Sequence, residues 1–113
     1  MRIWDIKPQL LCRKHLLGEH RELHGLWNIL TQGKKGYRNH PETKRWEGKL
    51  LALYKRHEDL VIELNNRGYQ HNSPLDKDLA SGCGNQTQYI DALKDQKEIL
   101  KSKDCLCFSD FTE

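Results

Sequence analysis

The stretch RWEGKLLALYKRHEDLVIELNNRG, residues 45–68, decides the fold, because it carries the strongest helical periodicity in the chain. Apolar side chains recur there at steps of three and four residues, the spacing that places them on one face of an α-helix. They are Trp46, Leu50, Leu53, Tyr54, Leu60, Val61 and Leu64, with His57 on the same face. Pro41 suits the first turn of this helix and Gly68 suits its C-terminal cap. We therefore predict one long helix that begins at Pro41 and ends before Gly68.

Two further helices are predicted on either side of this stretch. Over residues 8–31 the apolar positions again follow a helical period, and Gly33 ends the pattern. Downstream, Asn85 with Gln88 three residues later is typical of a helix start, and the apolar period continues to Leu100. Residues 67–85 lie between these helices and are rich in Pro, Gly, Ser and Asn, which predicts a long loop.

Length and composition indicate a single domain. The 113 residues suffice for one core of modest size, and no strand pattern or internal repeat is present. We predict an all-α fold, a compact single-domain bundle of three main helices with long connecting loops, over residues 1–113.

Nothing in the sequence points to a membrane or to secretion. No apolar run approaches the ~20 residues that span a bilayer, and Arg2, Asp5 and Lys7 interrupt any signal peptide. We expect an intracellular, cytoplasmic and nucleoid-associated protein whose cysteines are free thiols. These cysteines are Cys12, Cys83, Cys105 and Cys107.

Charge is distributed unevenly along the chain. Residues 1–49 hold 11 Lys and Arg against 5 Asp and Glu, whereas residues 50–113 hold 8 against 11. A basic half attracts polyanions such as nucleic acid, although a merely solvated basic face is the ordinary alternative.

The run HLLGEHRELHGLW, residues 15–27, places titratable side chains on one face of the first predicted helix. At 100° per residue, His15, Glu19 and Glu22 fall within a stripe about 60° wide that borders the apolar face. A glutamate partly buried there has its pKa raised toward values useful for proton transfer. The alternative is that both carboxylates pair with basic residues and only stabilise the bundle. The chain also begins with Met1, whose α-amine has an ordinary pKa of about 7.7 to 8 and is a ready nucleophile near neutral pH.

His20 and His24, one helical turn apart, are the residues that suggest a metal. The segment HRELH differs from the HExxH zinc motif, because Glu22 projects about 200° from His20 and cannot share its metal. Histidines of this kind are more often ordinary core or surface residues than zinc ligands, so we expect no metal here.

Three segments together resemble the pyrimidine-dimer DNA glycosylase family, the small phage-type endonuclease V repair enzymes. They are the opening MRIW, the run HLLGEHRELHGLW, and LYKRHEDLVIELNNRGYQHNSPLD, and the resemblance covers about residues 1–76. It implies a compact all-α protein whose N-terminus lies against the first helix. It also implies a glycosylase and AP lyase, in which the N-terminal α-amine attacks C1′ of the damaged nucleotide, expels the base and forms an imine before β-elimination cuts the strand.

The resemblance assigns roles to individual residues. Met1 supplies the amine and Glu22 is the catalytic glutamate of the family's Arg-Glu pair, with Arg21 as the neighbouring phosphate-binding residue. Arg2 and His15 also match positions of the family's site. Basic charge adds Lys34, Lys35 and Arg38 as phosphate contacts, while Tyr37, Trp46 and Tyr69 are candidates for base stacking, with Trp46 better explained as core. The implied chemistry requires neither a metal nor an organic cofactor. The expected partner is damaged double-stranded DNA, bound by a monomer.

The sequence departs from the family in three places. Bulky Arg2 should prevent removal of the initiator Met1, so the amine carries a larger side chain. Gly25 stands near a position that is basic in the phage-type motif. The family's aromatic-rich C-terminal segment has no counterpart in residues 77–113, which affects substrate choice more than chemistry. Two alternatives stay open: a helical DNA-binding protein without turnover, and a metal-binding helical protein that uses His20, His24 and cysteines.

Overall fold

The computed structural model describes residues 3–33, 39–69, 74–89 and 91–102. Four α-helices follow one another: α1 Arg13–Gln32, α2 Pro41–Arg45, α3 Leu50–Asn66 and α4 Leu93–Ser102. Single turns of 3-10 helix at Pro8–Leu10 and Lys77–Leu79 lie in the connections. The described ranges contain no β-strand, so the predicted all-α class, with α1, α3 and α4 as its main helices, is confirmed.

The first helix, α1, begins later than the apolar period predicts. It starts at Arg13 rather than at residue 8, because Pro8–Leu10 forms a separate 3-10 turn and Leu11 after it is extended, with φ −83° and ψ 139°. Its C-terminal end agrees with the prediction. Gly33 adopts φ +66°, in the left-handed region where glycine is least strained, and ends the helix there.

The second predicted helix is divided into α2 and α3. Gly48 interrupts it with φ +72°, and residues 81–83 pack against this turn. The Gly48 carbonyl accepts from the Cys83 amide at 2.9 Å, and the first turn of α3 donates from Leu51 to the Ser81 carbonyl at 2.8 Å. This loop therefore caps α3 with backbone carbonyls, where the sequence alone predicted a continuous helix.

The end of α3 follows the prediction closely. Gly68 has φ +88°, and its amide donates to the Asn65 carbonyl at 3.0 Å. The Tyr69 amide reaches back to the Leu64 carbonyl at 2.9 Å. These paired bonds form a Schellman motif, which satisfies the last carbonyls of the helix and requires the left-handed residue that glycine provides.

The last helix begins at Leu93, so the predicted start after Asn85 is wrong. Gln86 and Gln88 do not cap a helix but bind the corner between α2 and α3. The Gln86 side chain donates to the Arg45 carbonyl at 2.7 Å, and both glutamines accept from Lys49 Nζ, at 2.7 and 3.1 Å. The local sequence of residues 85–88 is compatible with a helix start, but long-range contacts hold this segment outside a helix.

The core lies between α1 and α3, and the N-terminal segment and α4 cover it. Among the described residues, its fully buried apolar side chains come from the N-terminal segment, α1, α3 and α4: Ile3, Leu11, Leu16, Leu23, Leu26, Leu53, Leu60 and Leu100. In the described ranges no helix is both long and apolar enough to cross a bilayer.

Candidate active site

The backbone that follows Met1 and Arg2 is held by a buried ion pair of α2. Glu42 and Arg45 lie one helical turn apart and are 2% and 6% exposed. The Ile3 amide donates to Glu42 Oε2 at 3.3 Å, and Arg45 Nη2 donates to the Ile3 carbonyl at 2.8 Å. Arg45 Nε and Trp46 Nε1 also donate to Glu42 Oε2, at 2.8 and 3.0 Å. Both backbone polar groups of Ile3 are therefore bound by charged side chains that are themselves fixed.

Asp5 extends this network to α4. Its amide donates to Gln96 Oε1 at 2.8 Å, and its carboxylate accepts from Gln96 Nε2 at 3.0 Å and from Arg45 Nη2 at 3.1 Å. Burial alone would lower the pKa of Arg45, but the hydrogen bonds and charges of Glu42 and Asp5 outweigh it and raise that pKa above its ordinary value. The guanidinium stays charged and continues to bind both carboxylates.

A second buried pair holds the same segment from the other side. Glu19 on α1 accepts from the Trp4 amide and from Arg56 of α3, whose Nε and Nη2 lie 2.6 and 3.0 Å from the carboxylate. Arg56 Nη1 also donates to the Ile6 carbonyl at 2.8 Å. Desolvation raises the pKa of Glu19, and the Arg56 charge opposes that rise only in part.

Together these contacts immobilise the chain directly behind the N-terminal residues. The amides of Ile3, Trp4 and Asp5 each donate to a different side chain, contributed by α2, α1 and α4 respectively. Met1 and Arg2 themselves lie outside the described residues. The segment that leads to the amine is nevertheless preorganised against α1, and such positioning favours a reaction that needs a nucleophile at a defined place.

The carboxylate stripe predicted on α1 divides into a buried and an exposed residue. Glu19 lies in the desolvated environment predicted for a catalytic glutamate. It also pairs with Arg56 of α3, which is the structural role that was the alternative for both carboxylates. Glu22, one turn further on, is exposed. His15 is half-buried, with Nδ1 3.2 Å from Cys12 Sγ and its ring edge-on to Trp4 at 6.1 Å between centroids.

A model of the pyrimidine dimer DNA glycosylase family matches residues 1–77. The chain belongs to this family. Membership implies DNA glycosylase activity and a DNA substrate. Neither the curated proteins nor the solved structures provide a significant match to the chain.

The predicted DNA-binding residues of this glycosylase are only partly within the described structure. Arg21 is exposed on α1, one residue before Glu22, and His15 lies on the same helix. The others predicted to contact DNA lie outside the described residues: Arg2, Lys34, Lys35 and Arg38. Their contacts with phosphate stay predictions.

The aromatic candidates also differ in placement. Trp46 is 2% exposed and donates to Glu42, so it belongs to the core and cannot stack on a base. Tyr69 is half-buried with the Arg13 guanidinium 6.0 Å from its ring centroid. Tyr37 lies outside the described residues. Of the cysteines, Cys12 and Cys83 lie within the described residues and form no disulfide with each other.

Sequence reasoning missed the residues that hold the N-terminal segment of the glycosylase. Glu42, Arg45, Arg56 and Gln96 are not among the site residues predicted from the sequence. The spacing of Glu42 and Arg45, three residues apart, was the one local signal of a pair. Gln96 is 1% exposed and lies beyond the residues that the family model matches, so a part of the chain that the resemblance does not cover completes this network.

Proposed function

We propose that the protein is a DNA glycosylase with AP-lyase activity on damaged double-stranded DNA, including ultraviolet-induced pyrimidine dimers and abasic sites. The nucleophile is the α-amine of Met1. The observation that carries the proposal is the fixed backbone of residues 3–6, since side chains of all four helices hold the segment directly behind that amine. Anchoring of the segment behind the amine supports a reaction that needs its nucleophile at a defined place.

The chemistry proceeds through an imine and needs one nucleophile and one base. The amine nitrogen forms a bond to C1′ while the glycosidic bond breaks and the base leaves with the bonding electrons. Loss of the sugar ring C1′–O bond then gives an iminium, which acidifies the C2′ proton. A carboxylate removes that proton, the C3′–O bond breaks, and the 3′ phosphate leaves.

Glu22 is the proposed base of this elimination. Its neighbour one turn back, Glu19, binds the Trp4 amide, so the N-terminal segment and Glu22 occupy the same side of α1. Glu22 is exposed, which leaves its carboxylate accessible to a bound sugar, whereas Glu19 is committed to Arg56. A negative charge in this position also stabilises the iminium.

Basic residues around the amine bind the DNA backbone in this proposal. Arg21 is exposed beside Glu22, and Arg2, Lys34, Lys35 and Arg38 add positive charge from the basic half of the chain. Phosphate contacts of this kind position the duplex without reading its sequence, and they make binding sensitive to salt. His15 contributes from the first turn of α1. The protein acts as a monomer.

Borohydride trapping tests the amine directly. The full-length protein is incubated with DNA that contains an abasic site or a pyrimidine dimer, and sodium borohydride reduces the imine to a stable covalent adduct. We expect an adduct with both substrates and, after digestion, a modified peptide whose label is on the α-nitrogen of Met1. A variant with a short extension before Met1 should lose the adduct while retaining its melting temperature. Absence of an adduct with either substrate overturns the proposal.

Substitution of the proposed base separates imine formation from strand cleavage. Glu22→Gln should reduce the rate of strand cleavage by about 10²- to 10⁴-fold, the usual contribution of a positioned base, and leave the fold intact because the side chain is exposed. Glu47→Gln, another exposed glutamate, is the matched control and should retain full activity. Full cleavage by Glu22→Gln removes Glu22 from this role.

A further inference from the structure

Three histidines from two helices converge at a site that neither the proposed chemistry nor the family match explains. His20 and His24 lie one turn apart on α1, and His57 faces them from α3. Nε2 of His24 is 3.3 Å from Nε2 of His20 and 3.1 Å from Nε2 of His57. One ligand nitrogen from each of the three side chains lies within 4.8 Å of the others. His57 is fully buried, and the other two are half-buried.

Hydrogen bonds between the rings cannot satisfy both short contacts of His24. A neutral imidazole nitrogen either carries one proton to donate or has one in-plane lone pair to accept. Nε2 of His24 faces the Nε2 of both neighbours, so at most one of the two contacts is a well-formed hydrogen bond. A cation between the rings would instead take a lone pair from each nitrogen at once.

Two of the three separations between the ligand nitrogens match those of a tetrahedral zinc shell, and the third, within 4.8 Å, closes by a small rotation of the half-buried His20 ring. Zn–N bonds of about 2.05 Å at tetrahedral angles place neighbouring ligand nitrogens about 3.3 Å apart. The observed separations of 3.1 and 3.3 Å lie close to this value. The Nδ1 atom of His57 is 3.3 Å from Glu58 Oε1, and a proton donated there leaves Nε2 with the lone pair that a metal needs.

We propose that His20, His24 and His57 bind a divalent transition-metal ion, Zn²⁺, that links α1 to α3. Imidazole nitrogens suit zinc, and three protein ligands with a water in the fourth position form an open, exchangeable site. The site is separate from the proposed active site, because Glu22 projects about 200° from His20 around the helix axis. The ion binds only where both helices are docked, so it stabilises the folded state.

Calorimetric titration of the chelator-treated full-length protein with ZnCl₂ tests the site without DNA. We expect one ion per chain and a rise in melting temperature of about 10 °C at a free zinc concentration a hundredfold above the dissociation constant. Replacing Glu58 by glutamine should weaken binding about 10- to 100-fold, the usual effect of a residue that orients a ligating histidine. Cobalt substitution should give the visible absorption of a tetrahedral site without a thiolate charge-transfer band.

Ligand variants decide which side chains bind the ion. His57→Gln and His20→Gln should each weaken zinc binding at least about 100-fold. His20 is half-buried on the surface of α1, so its variant remains informative if the core substitution at His57 prevents folding. His40→Asn is the matched control, because His40 caps α2 and asparagine is a good cap, and it should bind zinc normally. The proposal is overturned if the wild type does not bind zinc saturably. It is also overturned if His20→Gln binds zinc with unchanged affinity, or if the cobalt spectrum contains a thiolate band.

Discussion

Replacing Glu42 by glutamine should both destabilise the fold and, under the proposed mechanism, slow the reaction of the N-terminal amine. Glu42 Oε2 accepts from Ile3, Arg45 and Trp46, and a glutamine oxygen has two lone pairs and no charge. Removing one partner of a buried ion pair costs about 3 to 5 kcal/mol. Because Asp5 still pairs with Arg45, we expect the lower end of this range, about 3 kcal/mol. With a urea m-value of about 1.5 kcal/mol/M, the unfolding midpoint falls by roughly 2 M.

Equilibrium urea unfolding and borohydride trapping measure the two effects. The midpoint should fall at constant m-value, which identifies a change in stability rather than in compactness. In buffer without urea, where the variant is still folded, the rate of adduct formation should fall because the Ile3 amide has lost its charged acceptor. Glu47→Gln provides the baseline, since an exposed substitution stays within about 0.5 kcal/mol of the wild type. A Glu42→Gln variant whose free energy of unfolding is also within about 0.5 kcal/mol of the wild type would refute the reasoning.

Three further predictions concern backbone strain and buried charge. Gly25→Ala should raise the free energy of unfolding by about 0.5 to 1 kcal/mol, because Gly25 is inside α1 and a Cβ there meets no atom within 4 Å. A lower urea midpoint than that of the wild type would contradict this prediction. Gly82→Ala should lower the free energy of unfolding by about 2 kcal/mol or more, since Gly82 has φ +83° and a Cβ would collide with the Gly48 carbonyl. Unchanged stability in urea would contradict this prediction. Glu19→Gln tests the raised pKa of Glu19. The folded state binds that proton more tightly than the unfolded chain does, so ionisation costs stability. The difference in the free energy of unfolding between the variant and the wild type should be constant well below pH 4.5. It should move in the variant's favour as the pH rises through the pKa of Glu19 in the folded state. Urea unfolding at a series of pH values measures it, and a shift toward the wild type would mean that Arg56 outweighs burial.

The helical class and several helix ends could be predicted because they depend on neighbouring residues. Apolar spacing located α1 and α3, and Gly33 and Gly68 ended them as their left-handed conformations require. The break between α2 and α3 could not be predicted in the same way. It depends on residues 81–83 packing against Gly48, and a local pattern contains no information about a segment that far along the chain.

The candidate site shows the same division between local and distant information. Helical geometry placed Glu19 and Glu22 on one stripe, but only the position of Arg56 on α3 decides that Glu19 is the buried member. The pair His20 and His24 was visible in the sequence, whereas His57 joins them only through the packing of α1 on α3. Residue types and helical spacing therefore identified candidates, and tertiary structure selected among them.

The bond between Asp5 and Gln96 sets an order of assembly. These residues are 91 positions apart, so during synthesis the contact cannot form until most of the chain has left the ribosome. Closing so long a loop is costly in entropy, so we expect this contact to form after the local helices. The segment of residues 3–6 consequently acquires its full set of contacts only once Gln96 is in place. A chain that ends before Gln96 would therefore hold the Asp5 backbone less firmly.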